Sequence, residues 1–413
     1  MARLLSDPAV QAELEALGTA DVVVGLPTVG PTPSAETVGR AALEGPLGSM
    51  GTVVVVHVDP TGSSEALDTL TRAGAPCPVV HLEGSGLRRA PAAPERDDAS
   101  DAIRTVFAVG RHLRARGVVL LNALVDPGAP DRAAALAEPV LKDSHDLVLP
   151  MYTRTRYEGT LTHALVVPLA RALWGRRLAH PMAEEFACSG LAAAAFLDTD
   201  AWDTEIVRQG TEFWLPVMAI QAGLVVSQVP AGQRRVAVEG RPSPLGATVG
   251  RVAGALFALA EQTEAHWLEV RGSEAVAASG PEPAPREGGG TVDPARLLAG
   301  FRQGVRDLLE IWVRILAPET LADVLALGEA DPDDFRFSDR LWTHVVYDFL
   351  LAWRFRVAHR GHVAQSLAPL YLGRTASLVL ETRGKPAAAV TAVGERLARG
   401  FEDEKAYLVD RWR

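Results

Sequence analysis

The chain has 413 residues, 48% of them hydrophobic and 22% charged, with a formal net charge of −10. That length corresponds to two or three domains, and the composition excludes wholesale disorder and collagen-like repeats. Duplex nucleic acid is excluded as an expected partner, because a phosphate backbone is gripped by clustered cations and this chain is acidic overall.

The cations are nearly all arginines, the lysines being Lys142, Lys385 and Lys405 alone. With the many Ala, Gly and Pro residues, this fits a GC-rich genome. Cys77 and Cys188 are the two cysteines, which give neither a disulfide framework nor a four-thiolate metal site. The first eighteen residues read as an acidic amphipathic helix rather than a basic segment followed by an apolar one. No run of eighteen apolar residues occurs, so no membrane span is expected and the expected compartment is the cytoplasm.

In chain order, residues 22–27 (VVVGLP) and 53–59 (VVVVHVD) read as buried strands. Further strands are expected at 79–83 and in the run from 118 to 126, and again from 147 to 152. Between them, 34–44, 64–73 and 100–116 carry helical spacing. Strand–helix alternation with continuous apolar strands predicts a mainly parallel sheet covered on both faces. Ligands of such sheets bind beyond the carboxyl ends of the strands, here the loops after Pro27, Asp59 and Asn122. Residues 271–292 are rich in Pro, Gly, Ala and Glu, and read as a flexible linker or exposed loop. Beyond it the pattern is helical: an Asp293 cap and Pro294 open a helix reaching 316. Others are expected at 318–327, 338–358, 363–381 and 386–412. The division expected is 1–270 as an α/β domain, 271–292 as linker, and 293–413 as a smaller helical domain.

The stretch 146–190, DLVLPMYTRTRYEGTLTHALVVPLARALWGRRLAHPMAEEFACSG, resembles GT-A-fold nucleotide-sugar glycosyltransferases. The likeness is to the bacterial mannosylglycerate synthase-like branch. Residues 202–229, WDTEIVRQGTEFWLPVMAIQAGLVVSQV, match that branch's WDT…G.D.W stretch, and 341–353 with 369–383 fit its helical end. The resemblance spans about 20–412. It implies a Rossmann-like GT-A domain followed by helices, and a hexosyltransferase taking a nucleotide-sugar donor and a small acceptor.

The resemblance also implies Mg²⁺ or Mn²⁺ on the leaving diphosphate, held by Asp-x-Asp at the end of a central strand. Here that motif is degenerate, reading Asn122-Ala123-Leu124, one neutral oxygen ligand and one residue with none. The later His ligand of the family falls on Val236, and its Gly-Lys-Gly turn on Asp98-Ala99-Ser100. No metal ligand is therefore assigned, and metal dependence is expected to be weakened or absent. By position, Pro27, Thr28, Asp59 and Asn122 would hold the nucleotide. Arg154, Arg156 and Tyr157 would clamp phosphates or a carboxylated acceptor. Glu185 and Glu212 fall where the family has carboxylates near the acceptor, and would orient its hydroxyl or take its proton.

Each of these has a plainer reading. Asp59-Pro-Thr-Gly-Ser is turn chemistry, the two glutamates suit ion pairs beneath a site, and TRTRY suits the solvent face of a strand. An alternative from another class follows: an inactive pseudo-glycosyltransferase kept as a binding or interaction module. The apolar C-terminal helices also offer a surface for a homodimer.

Overall fold

A computed structural model describes residues 8–27, 46–59, 79–83, 97–122, 131–233 and 245–413. The helices expected at 34–44 and 64–73 lie outside the described residues. The chain forms two compact units. Unit one comprises Met1–Thr153, Met182–Glu239 and Val276–Pro283, and unit two Arg154–Pro181, Gly240–Ala275 and Ala284–Arg413.

Ten strands are described: β1 Val22–Pro27, β2 Val53–Asp59, β3 Val79–Glu83, β4 Gly117–Leu120, β5 Leu147–Thr153, β6 Arg176–Arg177, β7 Phe186–Ser189, β8 Val226–Gln233, β9 Glu274–Ala275 and β10 Ala277–Ala278. Eight of them make the sheet of unit one, in the order β10-β8-β5-β7-β4-β1-β2-β3. Every pairing in it is parallel except those of β7, which runs antiparallel to both β4 and β5. The expected mainly parallel α/β sheet is therefore present, followed by a helical C-terminal region.

The continuous apolar strands are explained by what covers them. Val22, Val24, Leu26, Val53, Val55 and Val119 turn to one face, where helix Arg132–Lys142 buries Ala133, Leu136, Ala137 and Val140 against them. Helix Asp97–His112 covers the other face so closely that a Cβ on Gly25 would lie 2.4 Å from a Val106 methyl. With both faces dry, each strand residue gains burial worth about 1.5–3 kcal/mol per Val or Leu, and no alternation survives in the sequence.

Unit two is helical, with β6 and β9 forming a small parallel pair. Asp293 caps helix Pro294–Asp307 through the Ala295 N–H, and Ser338 caps Asp339–Arg354 through Leu341 N–H. Three expected long helices are divided. The first ends at Leu308 and resumes as Leu309–Ile315. The second is Arg360–Ser366 then Ala368–Thr382, broken just before Pro369, which has no N–H to continue the ladder. The third is Ala388–Asp403 then Lys405–Trp412.

The segment 271–292 is largely exposed, yet it is not structureless. Residues 274–275 pair with β6, residues 277–278 add an edge strand beside β8, and Arg286 bridges to Thr155. The partition therefore differs from a single cut at 271–292, because 154–181 and 245–275 pack with the C-terminal helices. Among the described residues, no helix is long and apolar enough to cross a membrane.

Candidate functional site

In unit one the chain runs from β1 to β2 and β3 on one side, then returns to place β4 on β1's other side. That reversal is a topological switch point, where open α/β sheets leave a crevice at the carboxyl ends of the strands. Pro27 ends β1, Asp59 ends β2, and Asn122 lies two residues past β4. Thr28 lies outside the described residues, as does the side chain of Asp59.

Glu185 reaches the same edge because β7 is antiparallel. Its first residue, Phe186, pairs with Leu120, the last of β4, so the residue before it stands at that strand's carboxyl end. The Glu185 side chain is only 2% exposed. Its Oε1 accepts the Asn122 backbone N–H at 3.2 Å. Its Oε2 accepts from Arg132 Nη1 at 3.3 Å and from the Tyr152 hydroxyl.

Arg132, 5% exposed, opens the helix that follows β4. Its Nε donates to the Ala231 carbonyl at 3.1 Å and its Nη2 to that of Gln233 at 3.0 Å, both on β8. The guanidinium carbon also lies 5.7 Å from the centre of the Tyr152 ring. One buried ion pair thus joins the carboxyl ends of β4, β5 and β8 to the start of β7. Sequence reasoning missed Arg132 and Tyr152. The signal available was an arginine at the first turn of a helix that continues with alanines and a leucine, RAAALA.

Glu212 lies on helix Glu205–Gln221, which is non-helical at Gly210 (φ −151°, ψ 37°). Four residues on, Pro216 has no N–H to offer the Glu212 carbonyl. That carbonyl accepts the Ala183 N–H instead, at 2.7 Å. The two glutamates singled out in the sequence therefore come from adjoining segments. Trp202 and Trp214, which carry the resemblance, pack edge to face at 5.2 Å beside Phe107 and Phe196. Their rings join this helix to helices Asp97–His112 and Gly190–Leu197.

Arg154, Arg156 and Tyr157 belong to unit two, in a turn after β5 rather than on a strand's solvent face. Arg154 Nη2 lies 2.6 Å from His180 Nδ1, and its guanidinium passes over Gly159, whose φ is +72°. Arg156 donates to the carbonyls of Lys385 and Thr382 just past and at the end of helix Ala368–Thr382, and Tyr157 Oη lies 3.1 Å from Thr382 Oγ1. These contacts cap a helix C-terminus, where a cation is favoured.

A divalent metal is the group the resemblance implies, and the donors do not fit it. Asn122 offers one neutral oxygen, Leu124 none, and both oxygens of Glu185 already accept hydrogen bonds, one of them from a guanidinium. Among the described residues no group of three or more His, Cys, Asp or Glu could hold a metal ion. Val236 and the neighbouring Arg234 and Arg235 lie outside the described residues, and Ser100 falls in the first turn of helix Asp97–His112.

No family model matches the sequence, and none of the curated proteins does. Among solved structures, the chain is similar to glucosyl-3-phosphoglycerate synthase from Mycobacterium tuberculosis in complex with Mn²⁺, UDP and glucosyl-3-phosphoglycerate. That likeness has 20% identity and a TM-score of 0.42 over 61% of this chain and 83% of that one. The same enzyme with Mn²⁺, UDP and phosphoglyceric acid gives 19% identity and 0.42 over 61% and 81%. A further mycobacterial protein gives 21% identity and 0.42 over 61% and 78%.

Proposed function

We propose that the protein binds a nucleotide-sugar at the carboxyl edge of its sheet and transfers the sugar to a small acceptor, as the resemblance to the mannosylglycerate synthase-like branch implies. The observation that carries this is the switch point between β1 and β4, with Pro27, Asp59 and Asn122 at the three strand ends around it. Pro27, Thr28, Asp59 and Asn122 hold the nucleotide in this reading, and Glu212 orients the acceptor hydroxyl. Arg156 and Tyr157 are left to the helix end they cap. No step passes through a metal, because the donor set at Asn122 and Leu124 does not suit a hard cation.

The engagement of Glu185 by Arg132 and Tyr152 favours a second reading, a fold that binds nucleotide without transfer. One panel separates the two. UDP, GDP and their glucose and mannose conjugates are tested by thermal shift with Mg²⁺, Mn²⁺ or EDTA, and then for turnover. A ligand at about 100 times its Kd adds about 2.7 kcal/mol of stability, a readily seen rise in melting temperature. Stabilisation that survives EDTA, with turnover lost in Glu212→Gln, supports the transferase. Stabilisation without transfer or hydrolysis across the panel supports the binding module, and no response to any nucleotide sinks both.

A further inference from the structure

We propose that Arg132 and Glu185 act as a clamp that positions the switch-point edge for its ligand, so that Glu185 is a positioning residue rather than the proton acceptor. This rests on the nucleotide-binding reading for its consequence, and on geometry alone for the clamp. The two carboxylate oxygens divide the work: Oε1 holds the backbone leaving β4 at Asn122, and Oε2 holds Arg132, ten residues on, at the start of the next helix. The same guanidinium then fixes two carbonyls at the end of β8, and the Tyr152 hydroxyl ties in β5.

The chemistry requires this pairing. A carboxylate at 2% exposure needs a counter-charge and several donors, and here it receives an N–H, a guanidinium and a phenol. The guanidinium in turn spends three separate nitrogens on three acceptors held in different directions. A planar fork does this and an ammonium does not, so Lys keeps the charge but loses the geometry. So engaged, the carboxylate spends three of its about four lone-pair positions on the protein's own strands. What it can do is fix where Asn122 sits, so that the strand edge is already in place when the nucleotide binds.

The test uses the full chain and three variants: Arg132→Lys, Glu185→Gln and the double Arg132→Met/Glu185→Leu. The first readout is hydrogen exchange in the absence of ligand. The clamp predicts faster exchange confined to peptides spanning 117–122, 132–136 and 228–233 in Arg132→Lys and Glu185→Gln. Unchanged exchange there, or a rise spread evenly over the chain, overturns it.

The second readout sets affinity for UDP and GDP against melting temperature. The double variant removes both charges together, a change that is often neutral for stability. It should melt near the wild type while binding nucleotide about tenfold or more weakly. Affinity and melting temperature falling in step would mean ordinary structural support and would overturn the positioning role. If wild-type protein binds no nucleotide, the functional reading fails, while the exchange pattern still decides the clamp. Should turnover be found, Glu185→Gln retaining kcat within about threefold with a raised KM supports positioning, and a collapse of kcat alone overturns it.

Discussion

The Glu185 carboxylate, which holds a backbone N–H, a guanidinium and a phenol, is well placed to be missed when removed. Glu185→Ala would strand the Arg132 charge in a buried site, and breaking such a pair from one side costs about 3–5 kcal/mol. Urea denaturation should show that loss, and a change under about 1 kcal/mol would mean that the pair is far better solvated than its burial suggests. Gly159 carries a second residue-scale constraint. Its φ of +72° is disfavoured for L side chains, and an added Cβ would lie 1.9 Å from Arg154 Nη1. Gly159→Ala should lose about 1–3 kcal/mol, with Arg154→Ala in the same chain recovering part of it. His163, on the π-helical turn Thr162–Val166, has its pKa pushed down to about 4 by burial and then by the Arg154 charge. The unfolded chain, with His near 6.5, therefore takes up the proton first as pH falls. The stability held above pH 6.5 is lost progressively toward pH 4, and His163→Gln should flatten that part of a stability–pH profile. Parallel profiles for the two proteins would refute this.

At the scale of elements, the two edges of the sheet do different work. At the edge away from the candidate site, Asp146 precedes β5 and accepts Ser189 Oγ–H and Val225 N–H, each at 2.9 Å, joining the end of β7 to the start of β8. Asp146→Ala should cost about 2–3 kcal/mol, as charged hydrogen-bond acceptors do. It should leave nucleotide affinity unchanged, and a weakened affinity would mean that the two edges are coupled. The contrast also explains what the sequence made legible. Strands β1, β2, β4 and β5 were visible because sheet faces covered on both sides demand unbroken apolar runs. Strand β7, written FACS, and β8, written VSQVPAGQ, were not: the first is short, and the second mixes Pro and Gly with polar residues. The carboxyl edge followed from strand order, and Glu185 and Glu212 from family likeness. Arg132 was not readable, because its partner lies 53 residues away and nothing local marks the pair. The helix breaks at Leu308, Leu367 and Glu404 were hidden too, since apolar spacing runs on through each of them.

For the molecule as a whole, composition and packing disagree about where to divide the chain. The Pro/Gly-rich stretch 271–292 invites a cut that would release 293–413 as an independent helical domain. Within unit two, however, the C-terminal helices complete their core with earlier segments. Trp342 donates its indole N–H to the Ala164 carbonyl at 2.7 Å, and buried Arg171 pairs with Glu395 and Glu402. Trp412 meets Trp267 edge to face at 4.9 Å, Arg360 pairs with Glu261, and Lys405 donates to the carbonyls of Trp267 and Val270. Helix Leu245–Gln262 packs so closely that a Cβ on Gly250 would lie 2.6 Å from the Gln365 side chain. Excising 293–413 would expose Trp342 and Trp412 and leave Glu395, Glu402 and Lys405 without these partners. Large apolar patches opened in this way lead to association, and lost packing leaves secondary structure without a fixed core. The fragment should therefore retain far-UV helical signal, lose near-UV tryptophan signal, bind ANS and unfold without cooperativity. Adding 154–181 and 240–292 back in trans, or fusing them, should restore a cooperative transition. A fragment 293–413 that melts sharply by itself, with native-like near-UV bands, would show that the earlier segments decorate the helical core rather than complete it.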